Sequence, residues 1–371
     1  MANNSDQDDL LKKLLDEPKK TAVPHRSDAP TFSFIFFSSD ALPKDPDVTP
    51  YDLVFELAKF GDENGFEALW LPERHFHHFG GAYPNPAVLA ASIAVQTKRI
   101  RLRSGSVVLP LHHPLEVVEA WAMVDNLSGG RVDLGFASGW NPNDFIWSPE
   151  TYPNLRDVWK ERIKIVQKLW RGETLTFKNG VGKDVSVRVF PPPIQKELDV
   201  WFVITKLDES FRYAGLQGYK VLTMMQGVGF SELKRKIQIY QDARVEAGYD
   251  RKGCVTLMFH TCIHKDTQRI EQAVNIPFHA YIKSAFTGHI QMLKESERPN
   301  QDEINKILEY SYERYYKTAA LFGTVEDARN VIAQALDAGV TEIAVLMDFG
   351  IPHSFLQESL PYLKELKRSY E

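Results

Sequence analysis

The chain has 371 residues, 43% of them apolar and 25% charged, so it can bury a large core and is too long for one small sandwich or bundle. Forty-four Lys and Arg against 49 Asp and Glu give a net charge of −5 with no long basic tract. That balance excludes a nucleic-acid binder and a polybasic membrane anchor, and no apolar run reaches the ~18–20 residues of a membrane span.

Residues 1–30 carry many charges with Pro18, Pro24 and Pro30, which predicts a flexible arm rather than a signal peptide. The two cysteines, Cys254 and Cys262, offer neither a disulfide framework nor a zinc pattern, so a cytoplasmic setting is expected. One domain is expected over residues 31–371. Its first strand is the β-branched and aromatic run Thr31–Ser39. Thr49 then reads as a helix N-cap with Pro50 at the first helical position, and Leu53, Leu57 and Phe60 follow at helical spacing.

The same alternation continues down the chain. Strands are expected in FEALWLPERHF, IRLRSGSVVLP, VDLGFASGW, Asp199–Thr205, Lys220–Met225, Cys254–Ile263 and Glu342–Gly350. Helices are expected in AVLAASIAVQTK, PLEVVEAWAMVDNL, SELKRKIQIYQDARVEAG, TVEDARNVIAQALDAG and SFLQESLPYLKELKRS. Apolar runs without alternation suggest strands covered on both faces, hence a parallel sheet. An open doubly wound sheet would usually place a glycine-rich turn after the first strand, but SSDALPKDPD holds no glycine. The predicted fold is therefore α/β, a (β/α)8 TIM barrel. Its insertions follow strands 4 and 7, over about residues 148–198 and 266–320.

In such a barrel the chemistry sits at the C-terminal ends of the strands. Those ends offer Glu73, Arg74 and His75, then Gly105 and Ser106, then the run Ala137–Asn141. Eleven histidines include the pairs His77-His78 and His112-His113, yet no H-E-x-x-H spacing occurs and no metal site is expected. There is no G-x-S-x-G elbow, and Gly180–Lys183 falls in a hairpin-like turn rather than a P-loop frame. What remains is a mouth with Phe34, Phe36, Trp70, Trp140 and Met225 as candidate lining, plus a buried Arg–His pair. This inventory suits a flat aromatic cofactor, although Phe34 and Trp70 each read more simply as packing.

The runs Leu71–Pro86 and Arg101–Phe145, with RYYKTAALFGT and EIAVLMDFG, resemble the bacterial luciferase-like flavin monooxygenases. The resemblance is greatest to the subgroup associated with natural-product biosynthesis. It implies a barrel that takes reduced FMN from a separate flavin reductase and uses dioxygen to hydroxylate a biosynthetic intermediate, either free or tethered to a carrier protein. Residue by residue, it assigns Gly105-Ser106 to a non-proline cis peptide against the flavin ring. Ala137, Ser138, Trp140 and Asn141 line the flavin, and Arg156 pairs with its phosphate.

Two positions depart from the family pattern. The catalytic histidine falls on Arg74, with the next histidine kept as His75, so either could carry the role. The phosphate loop reads ITKLDESF, where Thr205, Lys206 or Ser210 are the available donors. Two alternatives remain open: an F420-dependent oxidoreductase and a non-catalytic flavin-binding subunit. A homodimer is expected through the helices after strands 2 and 3, which are apolar over more than one stripe.

Overall fold

The computed structural model describes residues 29–37, 49–77, 80–225, 229–291 and 299–371. The expected arm lies outside these residues except for its last two, as do His78 and the end of the first predicted strand. The strands, in chain order, are β1 (Thr31–Ile35), β2 (Ala68–Leu71), β3 (Arg101–Val108), β4 (Val132–Ala137), β5 (Leu175–Lys178), β6 (Asp184–Val187), β7 (Val200–Val203), β8 (Lys220–Met224), β9 (Val255–Ile263), β10 (Ala320–Gly323) and β11 (Glu342–Leu346). The helices are α1 (Pro50–Glu63), α2 (Pro86–Ala94), α3 (Pro114–Ser128), α4 (Leu155–Trp170), α5 (Asp208–Leu216), α6 (Phe230–Glu246), α7 (Thr267–Gln291), α8 (Gln301–Thr318), α9 (Val325–Asp337) and α10 (His353–Arg368).

Eight parallel strands close in the order β1-β2-β3-β4-β7-β8-β9-β11 and back to β1. All eight lie within the runs read as strands in the sequence. The antiparallel hairpin β5–β6 sits between β4 and β7, with the Gly180–Lys183 segment in its turn. Helices α7 and α8 and the extra strand β10 sit between β9 and β11, with β10 pairing to the C-terminal half of β9. These are the two long segments marked in the sequence.

Helix ends follow local chemistry. Thr49 and Asp52 form a reciprocal capping box ahead of Pro50, and Thr324 and Asp327 repeat it for α9. Helix α3 begins on Pro114 and stops at Gly129, whose left-handed φ of 72° a residue with a Cβ would rarely adopt.

The lower half of the barrel is filled by a charged network. Arg103 reaches Asp133 at 2.8 Å and Glu342 at 2.8 Å, and its guanidinium lies over Trp70 and Trp201 at 4.9 and 4.6 Å. Ser33 donates to Glu342 at 2.6 Å, Trp70 Nε1 donates to Ser33 at 3.1 Å, and Arg101, at the N-terminal end of β3, bonds Asp133 from below. Burial opposes charge on Asp133, but the two guanidiniums hold its carboxyl below the usual range.

Two aromatics proposed for the mouth belong elsewhere. Phe34 points out of the barrel, stacked on Phe66 at 4.5 Å and edge-on to Phe60 of α1. Trp70 points in, but at the depth of the Arg103 network. Both are core. Strands apolar on both faces give no alternation from which depth or facing could be read.

Candidate active site

Register fixes what faces the mouth. Directly paired residues of parallel strands point to the same side, and alternate residues share a face. From the inward Trp70 and Glu342, the inward sets include Arg103 and Gly105 on β3 and Gly135 on β4. On β11 and β9 they include Ala344 and Leu346, and Met258 and His260. Gly105 sits directly above Trp70, where a Cβ would come within 2.9 Å of the Trp70 Cβ. Small residues thus make the floor of the upper half. The Gly105–Ser106 peptide is cis, and the β3–β4 register shifts between Gly105 and Val107.

The strand-two exit carries three adjacent side chains in different directions. Glu73 is buried beneath two imidazoles, and its Oε1 accepts from His75 Nε2 at 2.7 Å and His112 Nε2 at 2.5 Å. Its Oε2 accepts the Val108 amide at 2.7 Å. Burial opposes ionisation of Glu73, but these donors hold its carboxyl below the usual range. Conversely, although burial disfavours the imidazolium, Glu73 lifts His112 above its ordinary value. The expected Arg–His pair is in fact this His–Glu–His group. Its three candidate ligand atoms lie within 4.8 Å of one another, an arrangement the sequence reading missed because His112 is far along the chain. Ligands around one ion stand about 3 Å or more apart, so contacts of 2.5 and 2.7 Å are hydrogen bonds between protonated nitrogens and a carboxylate.

Arg74 turns the other way, toward the mouth. Its guanidinium lies 5.5 Å from the Trp140 ring, with Asp144 and Tyr281 as its charge neighbours. Burial lowers its pKa, offset in part by Asp144. Burial likewise raises Asp144 above the usual carboxylate range. Gly80, at φ 80°, lets the loop lie on the Arg74 stem, where a Cβ would sit 3.0 Å from Arg74 Cγ. Asn141 caps the turn after β4 and donates to Asp144 at 2.9 Å, so it holds the carboxylate that faces Arg74. Across the mouth, Asp348 accepts the Phe37 amide at 2.8 Å and the Tyr83 hydroxyl at 3.1 Å. Asp144 and Asp348 lie in runs that carry the family resemblance but gain no role from the sequence, and Tyr281 carries no motif; only the closed barrel brings the three to one mouth.

Ala137 and Ser138 are half-buried along the exit of β4, and Trp140 is 37% exposed at the rim. His75 lies under Trp147 at 4.7 Å.

The remaining candidates gather at the corner between α4 and α5. Lys160 pairs with Glu209 at 3.6 Å and lies over Tyr213. Arg156 is one helical turn before Lys160, and Ser210 directly follows Glu209. Lys236 donates to the Lys206 carbonyl at 2.5 Å and to Asp208 at 2.9 Å, fixing the loop that presents Thr205 and Lys206. Asp208, bonded by Arg235 and Lys236, is held well below the usual carboxylate range. Among the described residues, the Arg156, Thr205, Lys206 and Ser210 side chains have no hydrogen-bond or ion-pair partner within the chain. Arg156 and Lys206 are exposed to solvent, and Thr205 and Ser210 are half-buried.

Comparisons with known proteins agree with this architecture. The family model described as luciferase-like monooxygenase matches residues 31–342. The oxygenase component of flavin-dependent trigonelline monooxygenase from Acinetobacter baylyi is 26% identical, over 68% of this chain and 71% of its own. The crystal structure of monooxygenase RslO1 from Streptomyces bottropensis superposes with a TM-score of 0.76 at 21% identity, covering 92% of this chain and all of that one. An F420-dependent secondary alcohol dehydrogenase has the same fold, with a TM-score of 0.71 at 15% identity over 92% of this chain and 99% of its own. Among the described residues no helix is long and apolar enough to cross a membrane. The matched span covers most of the barrel, and the chain belongs to the luciferase-like monooxygenase family.

Proposed function

We propose that this protein is the oxygenase of a two-component system, taking reduced FMN from a separate flavin reductase and hydroxylating a biosynthetic intermediate. The observation that carries the FMN reading is the set of open donors, Arg156, Thr205, Lys206 and Ser210, at the mouth of a luciferase-like barrel. These residues would hold the phosphate. Gly105-Ser106, Ala137, Ser138 and Trp140 would lie along the ring, with Asn141 acting through Asp144. When bound, reduced FMN supplies two electrons, so that one atom of dioxygen enters the substrate and the other leaves as water.

The chain's own share is electrostatic and steric. A guanidinium is a poor proton acceptor, so Arg74 is no general base. It stabilises negative charge developing on oxygen. His75, its Nε2 tied to Glu73 and its ring against Trp147, would hold the strand-two exit that presents Arg74 to the mouth. Trp140, Trp147 and Tyr281 keep water from the site.

The test is retention of reduced FMN through gel filtration under nitrogen, followed by admission of ¹⁸O₂ and mass spectrometry of candidate substrates. Label in product supports the reading. Hydride transfer from reduced F420 without oxygen would replace it with the F420 alternative, and retention of neither cofactor would favour a scaffold role. Activity on a free acid but none on its carrier-bound form would remove the carrier-tethered version.

A homodimer completes the reading. Val88 lies in α2 and Val95 caps it, Met123 and Leu127 lie on α3, and all four are at least half exposed. The two helices pack side by side, and a second copy would cover these exposed apolar residues.

A further inference from the structure

Among the described residues, the mouth holds a buried polar side-chain atom with no hydrogen-bond partner. His260, near the C-terminal end of β9, is buried, and its Nε2 meets no hydrogen-bond partner. Its direction follows from register: His260 pairs with Leu346, which shares a face with the inward Glu342. Aromatic rings enclose it, with Tyr281 at 4.6 Å, Phe278 at 4.9 Å, Phe349 at 5.5 Å and Tyr315 at 6.1 Å, all edge to face. Burial in this box depresses its pKa to about 3, so the imidazole is neutral at any working pH.

An unsatisfied imidazole is costly in such a place, and a leucine or phenylalanine would fill the same volume without the cost. The cover over it is also locally weakened. Phe278 and Tyr281 come from α7, and Pro277, immediately before Phe278, removes one helical hydrogen bond at that point. Tyr281 is also a charge neighbour of Arg74, so the same stretch of α7 spans from His260 to the strand-two exit.

We propose that His260 is a specificity-determining residue, whose Nε2 hydrogen-bonds an oxygen of the substrate once the Phe278–Tyr281 stretch of α7 moves off it. Aromatic walls select a planar, unsaturated ring system. A neutral imidazole selects a hydroxyl or carbonyl oxygen on that ring over a charged group. The inference rests on the oxygenase reading for its biological meaning, but it is read out without flavin or oxygen.

The experiment titrates the full chain and its His260→Phe and His260→Gln variants calorimetrically with 2-naphthol and with naphthalene, alongside thermal unfolding. The expected result is a preference of the unaltered protein for 2-naphthol of about fivefold or more. His260→Phe should abolish that preference with Tm unchanged or raised, and His260→Gln should keep part of it. No hydroxyl preference in the unaltered protein overturns the proposal, as does an intact preference in His260→Phe. If His260→Phe loses both preference and Tm, recovery of the preference in His260→Gln supports the proposal and its absence overturns it. Failure of oxygen transfer with these binding results intact would sink the oxygenase reading alone.

Discussion

At the lower end of the barrel, Arg103 has a carboxylate against each of its nitrogens and a tryptophan on each side. At the upper end, among the described residues, buried His260 lacks a partner for Nε2, and the exposed Arg156 and Lys206 and the half-buried Thr205 and Ser210 have no side-chain partner within the chain. Both ends hold polar groups inside or against one apolar sheet, so burial alone does not separate structure from function. What separates the charged groups is partnering together with place. A buried charge whose bonds are closed within the chain is stabilising framework, whereas an open polar atom is a ligand candidate only where it also faces the mouth, because Trp201 Nε1 beside Arg103 and Thr256 Oγ1 beside Glu342 are likewise buried without a partner among the described residues.

That contrast is broken most readily at the bottom. Arg103→Met leaves Glu342 buried without its partner and Asp133 with Arg101 alone, and should cost about 3–5 kcal/mol of stability in urea unfolding. A loss under about 1 kcal/mol would show that the network is not framework. At the top the expected losses are of rate rather than of fold. Arg74→Ala should lower oxygen transfer about 10²-fold or more, with an unfolding midpoint close to that of the unaltered protein. Comparable activity in Arg74→Ala and a dead His75→Ala would move the central role to His75. Arg156→Ala and Lys206→Ala should each weaken reduced-FMN binding about tenfold, with the loss shrinking at high salt.

The His75–Glu73–His112 group lies between the two regimes and is sharpened by pH. Glu73 has a lowered pKa, so its share of stability is present above about pH 4.5 and fades as pH falls through the folded value. His112 has a raised pKa, so its share is complete below about pH 6.5 and is lost as pH rises through the folded value. These are one interaction seen from two sides. Glu73→Gln should therefore cost most between about pH 4.5 and 6.5, at about 1.5–3 kcal/mol, measured as unfolding free energy across pH. A pH-independent cost would mean that packing rather than charge holds the group. The smallest effect is expected at the α2–α3 face, where Val95→Glu with Met123→Glu should yield a single-chain species in gel filtration without loss of helix content.

Much of the fold was legible because its signals are local. Thr49 and Thr324 announce helix starts, Gly129 a helix end, and eight apolar runs of strand length alternate with helical periods. The site was legible only where residues sit together in the chain, as at Glu73–His75 or Gly105-Ser106, and where the family resemblance gave them a role. Asp144, Tyr281 and His260 reach the mouth from three separate segments and His112 reaches Glu73 from a fourth, and barrel closure, not spacing, makes them neighbours. The facing of Phe34 and Trp70 was illegible for the opposite reason: on a strand buried on both sides, apolar character is the same inward and outward.

The most direct test of the account is a crystal of the full chain grown under nitrogen with reduced FMN. The account predicts the phosphate within hydrogen-bonding distance of Arg156 and Lys206, and the flavin ring against Gly105-Ser106 with Arg74 facing it. A flavin seated elsewhere, or none bound at saturating concentration, would contradict it.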